Sequence, residues 1–260
     1  MYFETHAHYT SDGYAQDRHE VIATLRPAGV SRVLNIASDE ASNQGTIDLA
    51  EQYDWMYATV GVHPIYSNEI DKSFIEKMRT LSAHEKVVAL GEIGLDYFHA
   101  ERSPREVQQW WFEAQLDLSK ELKLPIIIHT RDAQEPTIAT LKNANLPIVN
   151  GIAAGISHCF SGSLEVAKQY LDMGYLLGIG GVVTFKNAKK LLDVVREIPL
   201  EYLVIETDAP YLTPEPFRGK RNDSTKLKYV VDKIAELKGI SPEEVAEKTM
   251  QTANRLFGLD

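Results

Sequence analysis

Pro125-Ile126-Ile127-Ile128-His129 is a short apolar run that opens on a proline and stops at a histidine. It lies between two stretches of helical periodicity, 105–122 and 135–143. A run this short and this rich in β-branched residues reads as a strand buried on both faces, with a helix before it and a helix after it.

The same unit recurs along the chain. Strand-like bursts fall at 2–6, 33–37, 56–62, 87–90, 126–129, 155–158, 175–179 and 202–205, and helical patterns at 17–28, 40–52, 74–82, 105–122, 135–143, 164–172 and 188–197. Ser163 is placed to cap the helix at 164–172 and Gly174 to end it. Two more helices follow at 226–238 and 242–256, the second announced by Ser241-Pro242-Glu243-Glu244. Parallel strands need crossover connections, so strands alternating with helices predict a parallel sheet. Eight such units in 260 residues predict the α/β class, a (β/α)8 TIM barrel with additional C-terminal helices, as one domain over 1–260. A doubly wound open sheet is the alternative; it would gather its ligand at one switch point. The breaker-rich segments 96–104 and 209–224 read as loops at the barrel mouth.

Composition narrows the function. A formal net charge of -10 argues against a broad basic surface for gripping nucleic acid, though not against a small anionic group held by metal ions and local cations. Cys159 is the only cysteine, which excludes an intramolecular disulfide. Met1-Tyr2-Phe3-Glu4 has no basic and apolar leader pattern, and no apolar run approaches the ~20 residues of a membrane span. A cytoplasmic protein is expected, with no membrane association and no obligate protein partner.

Residues able to carry chemistry gather where the bursts end. His6 and His8 follow the first burst at a spacing that projects both from one strand face. The third runs into Gly61-Val62-His63-Pro64, the fourth into Gly91-Glu92-Ile93-Gly94-Leu95-Asp96-Tyr97, and the fifth into His129. The sixth ends in Ser157-His158-Cys159-Phe160-Ser161-Gly162 and the eighth in Glu206-Thr207-Asp208-Ala209-Pro210. In a barrel all these ends converge on one face, where barrel enzymes place their sites. Imidazoles and carboxylates together fit a two-metal centre in which one carboxylate bridges the ions.

The ordered series Thr5-His6-Ala7-His8, Gly61-Val62-His63-Pro64, Gly91 to Tyr97, His158 to Gly162, Gly181-Val182-Val183-Thr184-Phe185-Lys186, Glu206 to Pro214 and Arg218-Gly219-Lys220-Arg221-Asn222 resembles the TatD-type metal-dependent hydrolases. These are a family of DNases among the amidohydrolase-like barrels, and the resemblance covers essentially the whole chain. It implies that His6, His8, Glu92 and Asp208 bind a first divalent metal ion, and that Glu92 bridges to a second held by His129 and His158. Magnesium, manganese and zinc all suit such ligands. It further implies exonuclease-type hydrolysis of phosphodiesters in DNA, at single strands or ends. Two positions depart from the usual first motif, Glu4 and Thr10 standing where the family has aspartates, and Ser224 stands where members often have proline.

Within that resemblance Asp208 is a ligand and either the general base toward a bound water or a ligand only, with a bridging hydroxide as nucleophile. His63 is expected on the scissile phosphate or the leaving oxygen, and Glu206 behind a ligand imidazole. Lys186 and Arg218 are candidates for phosphate contacts, with Lys220 and Arg221 equally readable as solvated surface; Tyr97 and Tyr211 are candidates for base stacking. Cys159 alternates with His158 and should point away from the metals. His19, His84 and His99 receive no role. The competing function is hydrolysis of an amide, lactone or phosphotriester. Related barrels with those activities often use a carboxylated lysine as bridge, and the fourth strand offers Glu92 and no lysine at its end. A metal-binding scaffold without activity is the third reading, kept open by Thr10.

Overall fold

The computed structural model describes residues 1–259. Eight parallel strands run in chain order through one sheet: β1 (Tyr2–Ala7), β2 (Val30–Asn35), β3 (Met56–Val60), β4 (Val87–Asp96), β5 (Ile126–Arg131), β6 (Gly155–Ser157), β7 (Tyr175–Ile179) and β8 (Leu203–Ile205). Helices α1 (Arg18–Leu25), α2 (Glu40–Ala50), α3 (Phe74–Leu81), α4 (Arg105–Leu122), α5 (Gln134–Ala144), α6 (Leu164–Asp172) and α7 (Lys189–Glu197) connect them, and α8 (Leu227–Lys238) and α9 (Pro242–Phe257) follow β8. Ser163 caps α6 through the N–H of Val166, and Ser241 caps α9 ahead of Pro242.

The sheet curls until β8 meets β1, so the open doubly wound alternative falls away. Ala7 bridges to Ala209, the His8 N–H donates to the Ala209 carbonyl at 2.7 Å, and the Asp208 N–H donates to the His6 carbonyl at 2.9 Å. Side chains complete the seam: the Thr5 hydroxyl donates to the Ile205 carbonyl at 3.0 Å, and Glu4 bonds Thr207. The barrel is a (β/α)8 barrel, nearly closed.

Inside it, Phe3, Leu34, Val88, Ile127, Ile156, Leu176 and Val204 form an apolar cluster together with Ala253, Leu256 and Phe257 of α9. The rings of Phe3 and Phe257 lie 5.6 Å apart. The last helix therefore plugs the end of the barrel where the strands begin. Side chains alternate with a period of two, so residues that follow Ile127, Ile156 and Val204 by two positions, His129, His158 and Glu206, continue the same inward face toward the other end. One column of the barrel is thus hydrocarbon below and donor groups above. Among the described residues no helix is long and apolar enough to cross a membrane.

Three strands differ from expectation. β4 runs on to Asp96 rather than stopping near Leu90, because Gly91 and Gly94 interrupt the apolar pattern without breaking the strand. Gly94 sits at φ +143, and a Cβ there would run into the His129 carbonyl oxygen, so only glycine lets β4 and β5 approach. Pairing steps from Leu90–Ile126 to Ile93–Ile128, three residues against two, a bulge that contains Glu92. β2 begins at Val30, its start disguised by the half-buried polar pair Ser31 and Arg32. β3 ends at Val60, which leaves His63 in the following loop instead of on the strand.

Candidate metal centre

His6, His8, Glu92 and Asp208 bring four donor atoms together at the mouth. His6 Nε2 is 3.1 Å from His8 Nε2, 3.3 Å from Glu92 Oε2 and 3.8 Å from Asp208 Oδ1. His8 Nε2 is 3.5 Å from each of those oxygens. Donors bound at about 2.0–2.1 Å around a tetrahedral ion are spaced roughly 3.3 Å apart, so these separations match a cation-sized gap. The other Glu92 oxygen, Oε1, faces a second group: His129 Nδ1 at 2.7 Å, His63 Nε2 at 3.6 Å and His158 Nε2 at 3.7 Å. Glu92 offers one oxygen to each group, the disposition a bridging carboxylate needs.

The outer partners of the histidines fix which ring nitrogen faces inward. His8 Nδ1 donates to the Ile36 carbonyl at 3.2 Å, which turns Nε2 toward the cluster. His158 Nδ1 lies 2.9 Å from Glu206 Oε1, and His129 Nε2 lies 2.9 Å from Asp96 Oδ2. Each carboxylate orients its ring and makes it a better electron-pair donor. Glu206 is itself buried, accepting from the Cys159 N–H at 2.6 Å, and its second oxygen has no hydrogen-bond partner among the described residues. Nε2 of both His6 and His8 would crowd lone pair against lone pair without a proton or a cation between them. The donor set fits divalent metal ions.

Charge reinforces this. Burial would push the Glu92 carboxyl up, but the imidazoles of His63, His6 and His158 hold it well below the usual carboxylate range. Asp208 is held down in the same way by His8 and His158 against the effect of burial. Burial disfavours the charged forms of His129 and His158, yet Asp96 with Glu92 raises the first to about 9, and Glu206 with Glu92 raises the second to about 10. His63 goes the other way, to about 3, pressed by burial and by the neighbouring His129. Its Nδ1 accepts the Ile65 N–H at 3.2 Å, so the neutral ring carries its proton on Nε2, the atom that faces the cluster.

The departures at Glu4 and Ser224 have local explanations, and nothing in the structure explains the side chain of Thr10. Glu4 is wholly buried in the β8–β1 seam, where Oε1 accepts the His6 N–H at 3.1 Å and the Thr207 N–H at 2.9 Å, and Oε2 the Thr207 hydroxyl at 2.6 Å. Arg18 fixes the loop after β1, donating to the carbonyls of Tyr9 at 2.6 Å and Thr10 at 3.1 Å. The Ser224 N–H donates to the Tyr9 hydroxyl at 3.0 Å, a bond proline cannot make.

The remaining predicted residues are not among these donors. Lys186 and Arg218 are exposed, the Arg218 guanidinium resting 4.1 Å over the Phe185 ring. Lys220 is exposed, whereas Arg221 is engaged: it forms a two-pronged ion pair with Asp17 at 2.8 and 2.5 Å. The Tyr97 ring is half-buried with Arg105 stacked 4.3 Å above it, while Tyr211 is exposed beside His8. Cys159 is free and half-buried. His19 bonds the Tyr53 hydroxyl and His84 meets Glu51, both away from the cluster. His99, to which sequence reasoning gave no role, belongs to the outer layer of the site: its N–H donates to Asp96 Oδ1 at 2.9 Å, and its ring lies 3.2 Å from the same carboxylate. Asp96 was legible as the end of a motif but not as the partner of His129. Phe98 carried no signal at all.

A histidine–carboxylate donor set at the strand ends of a (β/α)8 barrel defines the class of metal-dependent barrel hydrolases. Residues 3–258 match the TatD related DNase family, and the chain belongs to it; it is a metal-dependent hydrolase of that family. It is 45% identical over 260 residues to the uncharacterized metal-dependent hydrolase YabD of Bacillus subtilis, covering 100% of both chains. It is 35% identical over 263 residues to the 3′-5′ ssDNA/RNA exonuclease TatD of Pantoea ananatis, covering 99% of both. Among solved structures, the TatD homolog YjjV of Escherichia coli superposes with a TM-score of 0.92 at 31% identity, over 100% of this chain and 98% of that one.

Proposed function

We propose that the chain is a two-ion phosphodiesterase that removes nucleotides from the ends of single-stranded DNA or RNA. The observation that carries this reading is Glu92, whose two oxygens face two separate groups of imidazoles. His6, His8, Asp208 and Glu92 would hold one divalent ion; His129, His158 and the other Glu92 oxygen would hold the second. Bound there, such ions activate water and neutralise charge on a phosphoryl group. Support for a nucleic-acid strand comes from the relative named as an ssDNA/RNA exonuclease.

The protein's own groups have distinct parts. Asp208, held ionised, has an oxygen to accept a proton from the attacking water. His63 is neutral near pH 7 and presents Nε2–H, so it donates a hydrogen bond to a phosphoryl or leaving oxygen rather than a whole proton. Glu206 and Asp96 keep His158 and His129 in orientation. Metal-stripped protein resupplied with magnesium, manganese or zinc should cleave single-stranded DNA or RNA, and Glu92→Ala should abolish cleavage and ion binding at both positions. Turnover of an ester or amide panel with no cleavage of either nucleic acid in any metal would overturn the nuclease reading.

A further inference from the structure

Six large apolar or aromatic side chains are exposed among the described residues, and three of them, Phe98, Tyr211 and Leu212, lie on the loops at the strand ends. Phe98 follows β4 and is 54% exposed; Tyr211 follows β8 and is 56% exposed. In a ring of eight strands, β4 and β8 stand opposite one another. The two rings therefore flank the mouth from opposite sides, each tied to a different half of the donor cluster.

Tyr211 sits edge-on to His8 at 6.2 Å, and its N–H donates to the Asp208 carbonyl at 2.7 Å. Phe98 packs against His99 at 4.7 Å, and His99 holds the Asp96 carboxylate that orients His129. The Arg131 guanidinium lies 3.8 Å over the Phe98 ring, and it has no carboxylate within ion-pair distance among the described residues. An arginine without a carboxylate partner, in a chain with net charge -10, has a guanidinium available to an anion, and an exposed aromatic ring beside it has the flat apolar character on which nucleobases stack.

We propose that Phe98 with Arg131, and Tyr211 across the mouth, are stacking platforms for the two unpaired bases on either side of the phosphodiester that is cleaved. This rests on the phosphodiesterase reading and adds the mode of substrate recognition. Bases splayed onto two opposed rings must leave their own stack, so a duplex is excluded unless it frays. Every base has a π face, so recognition tolerates any sequence.

Both side chains are exposed, so their removal leaves the core intact. Wild-type, Phe98→Ala, Tyr211→Ala and Phe98→Trp proteins, loaded with manganese, are compared on a fluorescent thymidine hexamer for KM. Binding is read by anisotropy on its phosphorothioate analogue, and ion content by elemental analysis. Each alanine variant should weaken KM and binding about ten-fold with ion content unchanged, and Phe98→Trp should restore both. A hexamer with one abasic position beside the scissile bond should bind wild type equally weakly, and the matching alanine variant should then lose nothing more. Unchanged KM and binding in both alanine variants, or losses that add fully to the abasic loss, overturn the platforms while leaving the nuclease reading intact. Wild-type protein that turns over simple esters but neither DNA nor RNA overturns both.

Discussion

Glu4 spans the seam between the first and last strands to Thr207, one oxygen on its N–H and the other on its hydroxyl, with the His6 N–H as a third donor. A ligand-bearing strand is thus locked to the segment that carries Asp208. Glu4→Ala leaves three buried donors without an acceptor and opens a cavity, which should cost about 2–4 kcal/mol in chemical denaturation of the metal-free protein. Burial, only partly offset by the donors, raises the Glu4 carboxyl from 4.5 to about 7. A raised carboxylate loses stability as pH climbs from its unfolded value through its folded one. The gap between wild type and Glu4→Ala should therefore be wider at pH 5 than at pH 8.

That arrangement also marks how far the sequence could be read. His129 and His158 were legible because each stands where an apolar strand-like burst ends, and the barrel brings those ends to one face. Glu4 was visible only as a departure from a pattern, since its partners Thr207 and Ser224 lie about 200 positions away and meet it only after closure. Asp96 was masked by Gly91 and Gly94, which made β4 look finished too early. Adjacency to a motif favoured Tyr97 over Phe98, but the exposure of neighbouring rings is decided by tertiary packing that the sequence does not display. Each ring carries an arginine from another element, Arg105 of α4 on the tyrosine and Arg131 of β5 on Phe98, yet only Phe98 stays largely exposed.

Ion loading should be proton-linked. In the metal-free cluster His129 titrates at about 9 and His158 at about 10, both above the ordinary 6.5. Their protonated forms stabilise the fold fully below pH 6.5, and that contribution is lost as pH rises through 9 to 10. Protein held in chelator should lose thermal stability over this window, and metal-loaded protein much less, because the ions replace the protons. Calorimetric titration at pH 7.5 in buffers of different ionisation enthalpy should show net release of protons from these rings as ions bind. Release of none would mean that these imidazoles do not change state on binding.

Asp96→Asn tests the outer layer around His129. The amide keeps the shape but removes the charge that orients Nε2, 2.9 Å away. Outer partners of this kind are worth about 10–100-fold in metal affinity. A chelator competition should show one ion weakened by that factor and the other unchanged. Equal weakening of both would point to a general loosening of the mouth instead.

Gly178 stands against Glu206 so closely that a Cβ would overlap the carboxylate at Oε2. Glu206 has no room to retreat: it is buried, accepts from the Cys159 N–H, and lies 2.9 Å from His158 Nδ1. Gly178→Ala should therefore displace the carboxylate from His158 and reduce both turnover and the affinity of the ion near His158, by roughly 10–100-fold. The decisive comparison is made in a Glu206→Ala background, where the space is already vacant. There the added methyl should cost nothing further in ion affinity or kcat, since its whole effect runs through Glu206. If the two losses add instead, Gly178 acts on β7 packing, and its link to the metal centre is wrong.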